Sequence, residues 1–577
     1  MKNTYLFFCP FLLAGLATLF VNNDGSSSNA STSRRPAAID VVECAPVNGE
    51  TFYAGDDGKF IRILPGWGEH TYVVNTRNDS AQLYFDQGLS MYYSYHAREA
   101  TASFKEAARW DSTCAMLYWA QALSQGPSYN FGYSYKMHAN IPAVIEKMNR
   151  YSATATPKEQ DLVAAMNTRY NVLDTADSQR ERLNTLYAGA MKGLVKKYPG
   201  DLDIKALYTD AVMLLHSWDF WHNDGRPKEW TLELVELCEE ILKKDPHHPA
   251  ALHYYIHVTE ASRKPEVALA SADSLIKLFP GVAHMVHMSS HEYERIGYYA
   301  KGVDANEKAD QSLYVYDSLA KGLFRDIYHV PHYFAVDIYC ALSGGMYQKA
   351  IIKSAELRKM TEPAHDKAYQ QYLLMYPSMA AVRVGKWQDI LNDTITIQAD
   401  WSFAGLLHDF AKGLAYTKTG ELAAAQKYLD QLREKKKDQV LKDKFAPHAS
   451  SPYECATVAE NILYANILFY EGKHNAAITA IKAAMLAEDS LLYSEPKIWM
   501  LPARQYLGAF YLALKQYRDA EIVYRDDLVW NPGNGWSLLG LYQSLQAQQK
   551  TREVAKLKAL YRSSFSHADQ MPRGSVY

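Results

Sequence analysis

Two short segments of this chain carry the same set of metal-binding side chains. His253, His257 and Glu260 recur as His287, His291 and Glu294, each 34 residues further on. That spacing is the length of one helix-turn-helix unit of an α-solenoid, so the two sets are expected on equivalent faces of neighbouring helices. Within a set, histidines at i and i+4 lie about 5–6 Å apart at Cβ on one helix face, and both can reach one cation. Packed helices sit about 8–10 Å apart, which lets the imidazoles of one meet those of the next. Neutral imidazole binds Cu, Fe, Zn and Ni. An all-histidine set favours copper or iron, with zinc next, as one ion or a coupled pair. Glu260 and Glu294 are the candidate catalytic groups, as general bases; as alternatives they ligate or orient the imidazoles. The spacing is not that of an HExxH protease, and no Walker loop, Rossmann glycine pattern or GxSxG elbow stands in the right context.

The helices that must position these residues can be put in register without the histidines. Pro246 and Pro280 are also 34 residues apart and suit the end of a repeat. With each at position 32, His253 and His287 fall at position 5, His257 and His291 at 9, Glu260 and Glu294 at 12, and His284 at 2. Counting back from Ala350 as position 20 puts His332 at position 2 of the following unit. At about 100° per residue these positions share one stripe about 80° wide. The expected metal ligands are therefore His253, His257, His284, His287, His291 and His332.

The same register runs along much of the chain. Gly88, Ala100, Phe104 and Ala107 take positions 8, 20, 24 and 27, and Gly508, Tyr511, Ala520, Tyr524 and Pro532 take 8, 11, 20, 24 and 32. Trp536 and Gly540 open the next unit, and Gly413, Tyr416, Ala425, Ala465, Ala477 and Ala484 continue the pattern. From about Asp79 to Phe565 the chain resembles tetratricopeptide-repeat proteins, less clearly around 127–200 and 355–400. The resemblance implies an all-α solenoid of antiparallel helix pairs whose first helices line a concave groove. Tyr84-Phe85-Asp86-Gln87-Gly88-Leu89 and the two histidine segments also resemble a group of bacterial exported tetratricopeptide proteins, which implies architecture rather than a reaction.

Residues 1–21 read as a signal peptide or N-terminal anchor: Lys2, then an uncharged apolar tract from Tyr5 to Val21, short of the ~20 residues a spanning helix needs. Residues 22–37 form a polar linker. Residues 38–78 carry β-favouring runs at Val41-Val42, Phe60 to Leu64 and Tyr72 to Val74, so a short strand-containing segment is expected before the solenoid of 79–565 and a C-terminal tail of 566–577. An exported protein follows, periplasmic or extracellular, touching membrane only through that anchor. The net charge of −3 argues against a nucleic-acid binder. Beyond the signal, Cys44, Cys114, Cys238, Cys340 and Cys455 are scattered without a CxxC, which suits single buried thiols.

Two function classes follow. The first is a metal-dependent enzyme, oxidative or hydrolytic, acting on a groove-bound small molecule or peptide. The alternative is a scaffold that grips a peptide or partner protein, with the histidine pattern copied by repeat duplication. Further histidines rank lower. His216, Asp219 and His222 sit on an irregular insertion able to cover the groove, and His329 precedes the His332 helix. His247 and His248 read as solvated, and Tyr254, Tyr255 and Tyr293 as core.

Overall fold

A glycine under an aromatic ring explains why these helices pair closely. A Cβ on Gly88 would lie 2.5 Å from the Phe104 ring, and one on Gly508 would lie 2.4 Å from Tyr524. Tyr524 serves two repeats, because a Cβ on Gly540 would stand 2.2 Å from the same ring. Ala100, Ala425, Ala477 and Ala520 are fully buried at the matching small-residue position. Helix pairs follow one another from Asp79 to Ser564, and the chain is an all-α, tetratricopeptide-type solenoid. The computed structural model describes residues 58–174, 176–319 and 330–577. All lie in the second of two units, Met1–Ala38 and Ile39–Tyr577. The signal, the linker, Val41-Val42, Cys44 and His329 fall outside the described residues. Among the described residues no helix is long and apolar enough to cross a membrane.

The strands expected before the solenoid are absent among the described residues, where Phe60 to Asn75 is an irregular strap that turns at Pro65 and Gly66. Its backbone donors find side chains in place of a neighbouring strand. Phe60 N–H donates to Glu106, Leu64 N–H to Gln87 Oε1 at 2.7 Å, Val74 N–H to Gln82 Oε1 and Asn75 N–H to Glu159. Side chains of the neighbouring helices do the work of a ladder here. Cys114, Cys238, Cys340 and Cys455 are buried free thiols, as expected.

The histidines lie on three successive inner helices, Pro249–Thr259, Ala283–Arg295 and Pro331–Ser343. Proline at the first turn starts the outer two, where its missing N–H costs nothing. The C-terminal repeats close back over this region. Trp536 Nε1–H donates to Ser343 O at 3.1 Å, Asn534 Nδ2–H to Tyr299 Oη at 3.1 Å, and Arg383 to Gln505 Oε1 at 2.7 Å. The tail joins the closure: buried Ser575 donates to Gln505 O.

Two glycines permit the tightest approach. Gly297 and Gly533 have φ of +82° and +71°. A Cβ on Gly533 would stand 2.1 Å from Ile296 O, and one on Gly297 would stand 2.3 Å from Gly533 O. Gly533→Ala therefore carries about 1–2 kcal/mol of left-handed backbone cost, with the overlap added. We expect a lower Tm and faster amide exchange in both Ala283–Arg295 and Gly535–Ala547. Parent-like values for both would refute the closure.

Candidate metal centre

Closure turns the stripe of six histidines into an interior. His253, His257, His284, His287, His291 and His332 are each 0–3 % exposed. The expected open groove is filled at this point. Tyr95 covers the first three imidazoles, at 4.6, 5.9 and 5.7 Å between ring centroids. Tyr95 has φ +57° in a turn where Gly297, Gly345, Gly420 and Gly472 serve other repeats and Lys515 serves one more at +58°; such a backbone costs about 1–2 kcal/mol without glycine.

The six imidazoles form two triads. The ligand atoms of His253, His257 and His284 lie within 4.8 Å of one another, as do those of His287, His291 and His332. In the first, His253 Nε2 is 3.1 Å from both His257 Nε2 and His284 Nε2. In the second, His291 Nε2 is 2.8 Å from His287 Nε2 and 3.4 Å from His332 Nε2. Each triad takes positions 5 and 9 of one unit and position 2 of the next. The triads adjoin: centroids of His257 and His291 are 6.2 Å apart, and those of His284 and His287 are 6.1 Å apart.

The other ring nitrogens fix the tautomers. His253 Nδ1–H donates to Tyr93 O at 2.7 Å, and a carbonyl can only accept. His287 Nδ1–H donates to Asn306 Oδ1 at 2.7 Å, while Asn306 Nδ2–H donates to Gly302 O, which orients that amide. Glu260 accepts from His257 Nδ1 at 3.0 Å and from His291 Nδ1 at 2.9 Å, one imidazole of each triad. Burial pushes the Glu260 carboxyl up, but its contacts with His291 and His257 outweigh that and hold it below the usual range. Burial drives His253, His284, His287 and His332 well below 6.5, with neighbouring histidines adding to the shift. With Nδ1–H donated outward, His253 and His257 turn Nε2 lone pairs on one another, as do His287 and His291, inside the buried core. A cation between them would relieve that repulsion, and an acceptor behind the ring, as four of the six have, is the usual support of a metal-bound histidine.

The two glutamates, equivalent in sequence, part company here. Glu260 braces two imidazoles. Among the described residues Glu294 bonds to no histidine, and burial raises its carboxyl to about 7. Sequence reasoning missed Glu495, whose carboxyl lies within 4.8 Å of the ligand atoms of Glu260 and His291. Burial, then the Glu260 charge, pushes it well above the carboxylate range. Trp218 Nε1–H donates to it at 3.2 Å. Nothing in its local spelling signals this role, 235 residues from Glu260.

The insertion covers the site as expected. Trp218 packs on Tyr129 at 4.5 Å, and Tyr129 faces His257 at 4.9 Å. Its own histidine is not a ligand: His216 stacks on Trp230 at 3.5 Å. His222 lines an outer cleft and Asp219 pairs with Lys228. Tyr254 and Tyr293 are core, and Tyr255 donates to Glu239. His248, expected in solvent, is fully buried and groups with His70 and Asp203 within 4.8 Å. Its Nδ1 accepts Ala251 N–H at 3.4 Å, so Nε2 carries the proton and offers a cation no lone pair. That trio reads as a helix cap and a carboxylate satisfied by His70 at 2.9 Å and Tyr93 at 2.9 Å.

No family model matches this chain, and no curated protein does. Solved structures show only weak similarity. The APC/C hetero-tetramer Cut9-Hcn1 is 12 % identical over 86 % of this chain and 78 % of that chain, with a TM-score of 0.27. The human IFIT1 dimer with m7Gppp-AAAA is 11 % identical over 86 % of this chain and 92 % of that one, with a TM-score of 0.31. Similarity that low says nothing about activity. On its own helix pairing and glycine–aromatic contacts, the chain is a tetratricopeptide-type α-solenoid closed around two histidine triads.

Proposed function

We propose that this protein is a metal-dependent oxidoreductase with a coupled pair of transition-metal ions. His253, His257 and His284 hold one ion, and His287, His291 and His332 hold the other. The observation that carries the reading is the set of Nε2 atoms facing one another while four of the six Nδ1 atoms are held on acceptors. An all-imidazole donor set suits copper first, then iron, then zinc. A copper pair would supply one-electron redox chemistry at two adjacent ions, acting on a small molecule such as dioxygen. Enclosure by Tyr95, Tyr129 and the C-terminal repeats supports a small diffusible substrate over a peptide. Glu260 ties the triads together and orients one imidazole in each. Glu495 holds a proton beside Glu260, at a pocket shared with Trp218 and His448, where it can deliver that proton inward. A hydrolytic reading is weaker because both Glu260 oxygens already accept imidazole protons. A partner-binding scaffold is the second reading; the repeat fold favours it, and it would use surfaces away from the histidines.

Elemental analysis of untagged protein is expected to find close to two ions per chain, with both lost in a His253→Ala/His287→Ala double variant. Metal-free protein under oxidising and reducing conditions alike would sink the proposal. Glu260→Gln keeps the shape but removes the charge, and is expected to weaken metal binding by about 10–100-fold; unchanged affinity would remove Glu260 from the centre.

The metal-free protein should lose stability as pH falls below 6.5, the ordinary histidine value. Burial depresses the folded-state values, so below 6.5 the unfolded chain binds more protons. Each such imidazole contributes up to about 1.4 kcal/mol per pH unit. Denaturant unfolding between pH 7.5 and 5.5 measures this slope, and a flat profile would contradict neutral, buried triads.

A further inference from the structure

Beside the metal centre lies a cleft with more buried positive charge than its own carboxylates neutralise. Arg263, Arg295 and Lys497 line it, with Trp221 and Trp530 as aromatic walls. None of the three cations has a carboxylate within ion-pair distance among the described residues. Arg295 is 5 % exposed and spends three N–H groups on backbone carbonyls: Glu260 O at 2.7 Å, Ser262 O at 3.2 Å and Trp530 O at 3.4 Å. Among the described residues Arg263 donates to Asn223 O and lies over Trp530 at 3.6 Å. Lys497 bonds to Asn531 Oδ1. Burial, then the neighbouring guanidiniums, lowers Arg263 to about 10, and burial and Arg295 lower Lys497 to about 8.

The carboxylates of the cleft are engaged elsewhere. Asp489 is bound by both Nη atoms of Arg504 at 2.5 and 2.9 Å. Asp527 accepts from Asn531 Nδ2 at 2.8 Å and from Ser537. Glu488 accepts Ala503 N–H at 2.6 Å, and burial lifts it to about 7. The open space is about 90 Å³, room for a small oxyanion, since a water occupies ~30 Å³.

We propose that this cleft binds the carboxylate or phosphate group of a small anionic ligand. Arg263 and Lys497 supply the donors, Arg295 the buried charge, and the tryptophans flank whatever the oxyanion is attached to. Planar guanidinium forks suit both oxyanions. The site abuts the metal centre, because Arg295 Nε–H donates to the carbonyl of Glu260, the residue that braces both triads. Metal binding is not required for the anion to bind.

The test is calorimetric titration of the full-length protein, metal-free, with inorganic phosphate and separately with benzoate in chloride-free buffer. Saturable 1:1 binding of either anion is expected, and the one that binds identifies the oxyanion. Arg263→Gln and Lys497→Gln should each weaken it at least tenfold, with circular dichroism unchanged. Should one variant misfold, the other decides. No saturable binding by either anion, or unchanged affinity in the folded variants, would overturn the proposal. Metal-free protein that binds the anion, yet takes up no metal when offered it, would retain this site and remove the metal centre.

Discussion

Bare imidazole nitrogens facing one another at 3.1 Å in one triad and 2.8 Å in the other, in a buried interior, are the constraint on which this structure turns. Protonation of His253, His284, His287 and His332 is opposed by burial and by neighbouring histidines. Acceptors behind the rings determine which nitrogen is bare. Tyr93 O, Asn306 Oδ1 and the Glu260 carboxylate each take an Nδ1–H and leave Nε2 pointing inward. The contrast with His248 is instructive. It too is buried beside a histidine and a carboxylate, but a backbone N–H on its Nδ1 forces the opposite tautomer. Proximity of nitrogens is common; proximity with the right tautomers is what makes a cation site.

The rest of the fold can be understood as what keeps that interior closed. A solenoid normally leaves its inner face open, and three inner helices alone would leave the histidine stripe wet. The Gly297–Gly533 backbone contact, the Trp536 and Asn534 hydrogen bonds and the docked C-terminal tail bring distant repeats over it. The insertion bearing Trp218 fills the remaining gap. Closure has an electrostatic consequence as well, because a buried Glu260 carboxylate demands hydrogen-bonding partners, and an imidazole from each triad meets that demand. The strain accepted at Tyr95 belongs to the same economy of space.

Repeat duplication accounts for the matched spelling of the two histidine pairs, but not for what surrounds them. Glu260 and Glu294 are equivalent by duplication, yet only Glu260 holds imidazoles, and it holds one from each triad. His284 and His332 both enter at position 2, although the unit between them is longer than a standard repeat. These features tie the two copies into one site.

Periodicity alone made much of this legible. The 34-residue spacing, the small residues at positions 8 and 20 and the i, i+4 histidines determined the repeat type, the helix face and all six imidazoles of the triads. These are local properties, set by helical geometry and repeat length. The strap before the solenoid was misread because β-favouring residues report only extended backbone, and whether a strand or a helix's side chains satisfy it depends on packing. Tyr93, Tyr95, Asn306, Glu495 and the arginine-lined cleft had no signature in the sequence, since each acquires its role from elements distant in the chain. Tertiary closure alone decided that the groove is an interior, which tautomers its histidines adopt and which glutamate serves them, because burial and hydrogen-bond partners exist only once the repeats have met.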